Sequence, residues 1–159
     1  MDETYIEIRG EWKYLDRAVD SEGNTLDFML RAKRDGKAAA RFFRQVRKVQ
    51  HTQAPRVINV DKNAAYPVAM DVLKEEEAIA EETALRQNKY LNNIVEPDHR
   101  HIKRLVRPMM GCQSFNSARK TLSGIEAMNM IRKGQVNGIE RGDSVSQVRF
   151  IESIFGIVA

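Results

Sequence analysis

Asp2, Asp61 and Glu96 are the residues whose type and placement can do chemistry. Asp2 opens a run that alternates in the strand manner, and Asp61 directly follows the short apolar run Val57 to Val60. The carboxyl edge of a strand is where α/β sheets place ligand sites. Glu96 stands near the start of Asn92 to Arg107, where it and Asp98 are followed by a series of bases. Thirty-four residues separate Asp61 from Glu96, room for one helix and one short strand before the chain returns to the same sheet edge. Three hard oxygen donors from three separate elements suit Mg²⁺ or Mn²⁺ rather than zinc. Two such ions ~3.5–4 Å apart would activate an attacking oxygen and steady the leaving one in phosphodiester transfer. Plainer roles stand beside these. Asp61 can serve as a strand-end turn or helix cap, and Glu96, taken alone, fits a capping box Asn93-x-x-Glu96.

Heptad spacing puts Lys103 two turns after Glu96 on one helical face, with Arg100 and Arg107 at four-residue steps on the same side. Ile94, Val95, Ile102, Leu105 and Val106 are then free to turn toward a core. An acid set into a basic face suggests a metal-bound carboxylate beside nucleic-acid phosphates. The tract His99-Arg100-His101 is not a zinc site, because alternate residues diverge on a helix and no thiol assists.

The elements that must position these residues follow from the patterning. Thr4 to Ile8, Trp12 to Val19 and Leu26 to Ala32 read as an antiparallel meander, with turn chemistry at Ser21-Glu22-Gly23-Asn24. Asp35 caps a helix from Lys37 to Val49 whose apolar stripe is Ala39, Phe42, Phe43 and Val46. Val57 to Val60 is apolar throughout but for Asn59, as a buried, partly parallel strand would be. A helix over Pro67 to Glu77 and a brief strand over Thr83 to Gln87 precede the basic helix, which Pro108 and Gly111 stop. Ser114 or Ser117 starts a long helix to about Lys133 with core face Ala118, Leu122, Ile125, Met128 and Ile131. Gly134 to Ser146 is loop. Val148 to Ala159 places Phe150, Ile151, Ile154, Phe155 and Val158 on one helical face, to cover the core or to meet a second copy. The expected class is α/β with a mixed five-stranded sheet flanked by helices. Residues 1–134 form the main domain and 135–159 a terminal loop and amphipathic helix.

The totals bound the partners. With 159 residues, 42% of them hydrophobic, the chain can bury a proper core as one domain. A net charge of +4 is compatible with a nucleic-acid partner without requiring one. The single cysteine excludes an internal disulfide and fits a reducing cytoplasm. No apolar run approaches the ~20 residues of a membrane span, and the polar, acidic start MDETYIEIRG is not a signal peptide.

Asp2-Glu3-Thr4-Tyr5-Ile6, Val60-Asp61-Lys62-Asn63, Tyr90 to Glu96 and Asp98-His99-Arg100, with Lys103 following, resemble the bacterial insertion-sequence transposases. The nearest group is family six of the insertion sequences, whose members form cointegrates. The interval of 34 residues and a base seven after the Glu are its hallmarks, and Ala18 to Ser21, Arg107-Pro108-Met109, Gly124-Ile125-Glu126, Ile131 to Gln135 and Phe155-Gly156 are similar too. The resemblance implies an RNase H-like fold. It also implies Asp2, Asp61 and Glu96 as metal-binding catalytic triad, Mg²⁺ as cofactor with Mn²⁺ able to substitute, and Lys103 at a phosphate near the scissile bond. Arg100, Arg104 and Arg107 would extend a DNA track, and His99 would steer a carboxylate or a phosphate. The activity implied is nicking and strand transfer at terminal inverted repeats into target DNA, by a homo-oligomer in the nucleoid. Two departures are visible: no helix-turn-helix precedes the first Asp, and Pro97 stands where relatives carry Gln. The chain therefore reads as a catalytic portion, and the alternative is a shortened remnant that binds DNA or full-length transposase without catalysis.

Overall fold

A computed structural model describes residues 1–33, 35–48, 54–88, 95–107 and 112–157; within these, the side chain of Glu96 is not described. The elements run β1 (Asp2–Ile8), β2 (Glu11–Val19), β3 (Thr25–Arg31), α1 (Gly36–Arg47), β4 (Val57–Val60), α2 (Ala65–Glu75), β5 (Ala84–Gln87), α3 (Glu96–Val106), α4 (Phe115–Arg132) and α5 (Ser144–Ile154). They fall into two compact units, residues 1–118 and 119–159.

In the first unit β1, β2 and β3 form the expected antiparallel meander, with Asp2 opposite Arg17 and Ile8 opposite Glu11. Arg9 and Gly10 make the first turn with positive φ, 52° and 76°. Asp20 organises the second, its Oδ1 accepting from the backbone nitrogens of Glu22 and Asn24 at 2.8 and 2.9 Å. Asp35 caps α1 by accepting from Ala38 N at 2.7 Å. β4 and β5 pair in parallel, joined by α2, as a short apolar strand followed by a crossover helix requires. Ala39, Ala40 and Phe43 of α1, Val60 of β4 and Tyr66, Ala69, Met70 and Leu73 of α2 form one buried cluster, against which Met1, Ile58 and Leu85 pack. Phe43 and Tyr66 meet edge to face at 5.9 Å.

The expectation of one five-stranded sheet is corrected. The strands form a three-stranded antiparallel sheet and a separate two-stranded parallel one. The outer edge of β1 is met at two distant points: the Met1 nitrogen donates to Asn59 O at 2.6 Å, while near Ile8 the edge bonds Cys112. Among the described residues no ladder joins β1 to β4 between those two points, because β4 makes its ladder with β5.

The capping box is also overturned. α3 begins at Glu96 with Val95 as N-cap and no side-chain cap, so Glu96 occupies the first helical position instead of the third. Asn93, the stretch Tyr90 to Ile94, and the stop signals Pro108 and Gly111 lie outside the described residues. Val95, Ile102 and Val106 are buried as expected, joined by Asp98 and His99, while Leu105, expected to face the core, is exposed.

In the second unit, Leu122, Glu126, Asn129 and Ile131 of α4 are buried, while Met128 is exposed against expectation. Two residues after α4 ends at Arg132 comes Gly134, whose φ is +72° and where a Cβ would lie 2.6 Å from Arg141 N. α5 starts four residues earlier than its apolar pattern suggests, because Asp143 caps it by accepting from the nitrogens of Val145 and Ser146. None of its residues is buried, and Ile154 and Phe155 are open.

Candidate active site

β1 carries Asp2 at its start and β4 delivers Asp61 at its end. The turn after β4 is built by its own polar side chains. Asp61 Oδ1 accepts from Asn63 N at 3.2 Å and Asn63 Oδ1 from Ala65 N at 3.0 Å, and Gln87 Nε2 donates to Asn63 O at 3.0 Å. Asp61 therefore does make the strand-end turn, with one oxygen, while its side chain stays half-buried at the strand's end.

The start of β1 lies against the end of β4. The Met1 nitrogen is held inside by its bond to Asn59; burial lowers its pKa, and the charges of Asp2 and Asp61 both oppose that shift. α3 comes to the same place through His99, whose Nδ1 lies 3.4 Å from Asp2 Oδ2. Burial first, then the neighbouring charges of Arg17 and Lys103, push the His99 imidazole down to about 4, so it is neutral at physiological pH. A carboxylate facing Nδ1 favours the tautomer with its proton there. Of the two partners expected for His99, it faces the carboxylate.

A buried ion pair fixes the first turn of α3 over this end of the sheet. Arg17, opposite Asp2 in the ladder, sets Nη1 2.6 Å from Asp98 Oδ2. The Arg17 side chain is fully buried and that of Asp98 is 11% exposed, so water screens the pair little. Glu96 stands two residues before Asp98, and its backbone is carried to the Asp2 end of the sheet by the same turn.

On the opposite face of the meander a second polar cluster lies next to the first. Arg31 bonds Glu3 at 2.8 Å and Asp16 through both Nη2, at 2.6 Å, and Nε. Two buried carboxylates thus share one guanidinium. Burial dominates at Asp16 and pushes its carboxyl up to about 6 despite the Arg31 pairing, with Glu3 and Asp61 adding repulsion. The Tyr66 phenol, buried beside them, is raised as well, by burial and then by Asp16 and Asp61.

Arg17, Asp98, Glu3, Asp16 and Arg31 were not anticipated as part of this site. The available signal was the pair Asp16-Arg17 inside an otherwise apolar strand run. Adjacent strand residues point to opposite faces, so in a central strand covered on both sides both charges must find buried partners. The basic residues of α3 divide: Lys103 is half-buried, and Arg100, Arg104 and Arg107 are exposed.

The donor chemistry at this end of the sheet fits a hard divalent cation. Asp2 and Asp61 both offer oxygen ligands of the kind Mg²⁺ takes, on strand ends that the bond from Met1 to Asn59 holds together. Among the described residues no group of three acids, histidines or cysteines closes on a single point. No helix among them is long and apolar enough to cross a membrane.

Comparison with known proteins agrees with the geometry. A family model described as a DDE domain, of the IS240 transposase type, matches residues 1–135. The chain is 41% identical over 133 residues to the transposase for insertion sequence-like element IS431mec of Staphylococcus aureus (strain Mu50), covering 84% of this chain and 57% of that one. The same values hold for the transposase for insertion sequence element IS257 in transposon Tn4003 of Staphylococcus aureus. An uncharacterized protein of Yersinia pseudotuberculosis is 38% identical over 77 residues, 48% of this chain and 72% of its own length. No solved structure matches. The chain thus spans a little over half the length of the curated transposases it matches, and over that span it belongs to the DDE transposases of bacterial insertion sequences.

Proposed function

We propose that this chain is the catalytic part of a DNA transposase with an RNase H-like arrangement, in which Asp2, Asp61 and Glu96 hold Mg²⁺, or Mn²⁺ in its place. Residues 1–134 carry the chemistry and 135–159 form an appended segment. The observation that supports this most is the 3.4 Å approach of His99 on α3 to Asp2, at the end of β1 where the Met1 nitrogen bonds Asn59, two residues before Asp61. Bound there, divalent cations would stabilise charge on the attacking and leaving oxygens of phosphodiester exchange.

The protein's own groups do the rest. His99 orients the Asp2 carboxylate, and Arg17 with Asp98 holds α3 so that Glu96 arrives beside it. Lys103 takes a phosphate near the scissile bond, and Arg100, Arg104 and Arg107 continue the track along the exposed side of the helix. Such contacts position DNA without reading its sequence, so recognition of terminal inverted repeats falls to other residues. The working form is a homo-oligomer acting on insertion-sequence ends and target DNA in the nucleoid.

The test is nicking of insertion-sequence-end DNA. The wild type nicks with Mg²⁺ or Mn²⁺ and stops in excess EDTA, and Asp61→Asn abolishes the activity. Equal nicking in EDTA overturns the mechanism. DNA binding with no nicking under any metal condition favours the non-catalytic remnant.

A further inference from the structure

A groove of about 700 Å³ lies between the β1–β2 hairpin and α3, outside the acid cluster. Tyr5 and Trp12 line it from the hairpin, Lys103 and Arg107 from the helix. Trp12 is 64% exposed and Tyr5 43%, so two large aromatic groups stand open to water, whereas Phe42, Phe43 and Tyr66 of the same unit are buried. An open aromatic ring beside two cations is what a stacked base with its phosphates requires. A cavity of this size admits about one or two nucleotides and is too small for a duplex.

The position suits the substrate. Tyr5 follows Asp2 by three strand residues, and Lys103 follows Glu96 by seven helical ones. Strand and helix rises make each path about 10 Å. A strand whose phosphate sits at the acids therefore reaches the groove within a few nucleotides.

We infer that this groove holds an unpaired nucleotide of the DNA strand being processed, with its base stacked on Trp12 and its phosphates against Lys103 and Arg107. The inference rests on the transposase reading above and adds to it a preference for a frayed or single-stranded segment next to the reacting phosphate. Glu7, opposite Trp12 in the ladder and the one acid among the described residues that line the groove, offers an acceptor to the exocyclic amino group of cytosine or adenine.

Trp12 is the only tryptophan in the chain, so its emission reports the groove directly. The full chain is titrated in EDTA with a duplex bearing an unpaired tail and with the same duplex fully paired, following fluorescence and anisotropy. The tailed DNA should quench Trp12 and the paired DNA should not. Trp12→Ala should weaken tailed binding by about tenfold while leaving duplex binding as it was. Because Trp12 is largely exposed, this variant should fold, and Trp12→Phe should restore most of the affinity. Equal emission changes with both DNAs, or wild-type binding of the tail by Trp12→Ala, overturns the inference. Quenching that follows protein concentration without DNA assigns the groove to a second copy and overturns it too. Metal is absent throughout, so the result is independent of catalysis. Metal-dependent nicking without quenching removes the groove alone, and quenching without nicking removes the catalytic reading alone.

Discussion

Two charged side chains next to each other in β2 do opposite work. Arg17 is buried on the face that carries Asp2, where its bond to Asp98 ties α3 to the sheet. Removing one partner of such a pair leaves a buried charge alone, which costs about 3–5 kcal/mol. Arg17→Met should lose about that much stability in denaturant unfolding; a loss under about 1 kcal/mol would mean the pair does not hold the helix. Asp16, on the other face, shares Arg31 with Glu3. Its native carboxyl titrates near 6 against an ordinary 3.8, so between those values the folded state holds a proton that the unfolded state has lost. Stability from this group is therefore greatest at the acid side and falls as pH rises through that window. Relative to Asp16→Asn, the wild type should lose up to about 1.4 kcal/mol per pH unit between about pH 4 and 6, then level off. A difference that stays flat across that range would contradict the burial argument.

The elements were legible where backbone chemistry sets them and less so where partners do. The meander, the cap at Asp35 and the short parallel strand all follow from alternation, capping and apolar run length. α3 followed a different rule from the one its sequence suggested. A capping box was available on paper, yet the helix starts at Glu96 with Pro97 next to it in the first turn. The amide of that position has no intrahelical partner in any helix, so proline costs nothing there. Pro97→Gln should accordingly change stability by less than about 0.5 kcal/mol; a larger loss would show that the ring itself sets where α3 begins. Leu105 and Met128 went outward, while polar side chains, Asp98 on α3 and Glu126 and Asn129 on α4, are buried, which a count of apolar residues does not anticipate. Gly134 was readable as a stop, and the structure gives it a left-handed conformation with no room for a Cβ. Gly134→Ala should cost about 1–3 kcal/mol, read as a drop in the unfolding midpoint.

At the scale of the molecule, the spacing between Asp61 and Glu96 was the most informative feature of the sequence. Its meaning is visible in the fold: α2 and β5 fill the interval, and the chain comes back to the end of the sheet where β1 begins. What the sequence did not reveal is how that end is held together. The bonds that do it, from Met1 to Asn59, His99 to Asp2 and Arg17 to Asp98, join residues far apart in the chain. No local pattern encodes such pairings. The single five-stranded sheet was over-read for the same reason, since strand count is local but ladder continuity depends on which edge reaches which.

Thermal unfolding under a Mn²⁺ titration tests the central claim, the gathering of three acids on one divalent site, most directly. A ligand at a hundred times its Kd stabilises the folded state by about 2.7 kcal/mol, which in a chain of this size raises Tm by roughly 5–10 °C. The account predicts a rise of that order at millimolar Mn²⁺ in the wild type and none in Asp61→Asn or Glu96→Gln. A wild type whose Tm ignores the metal, or variants that respond as it does, would contradict it.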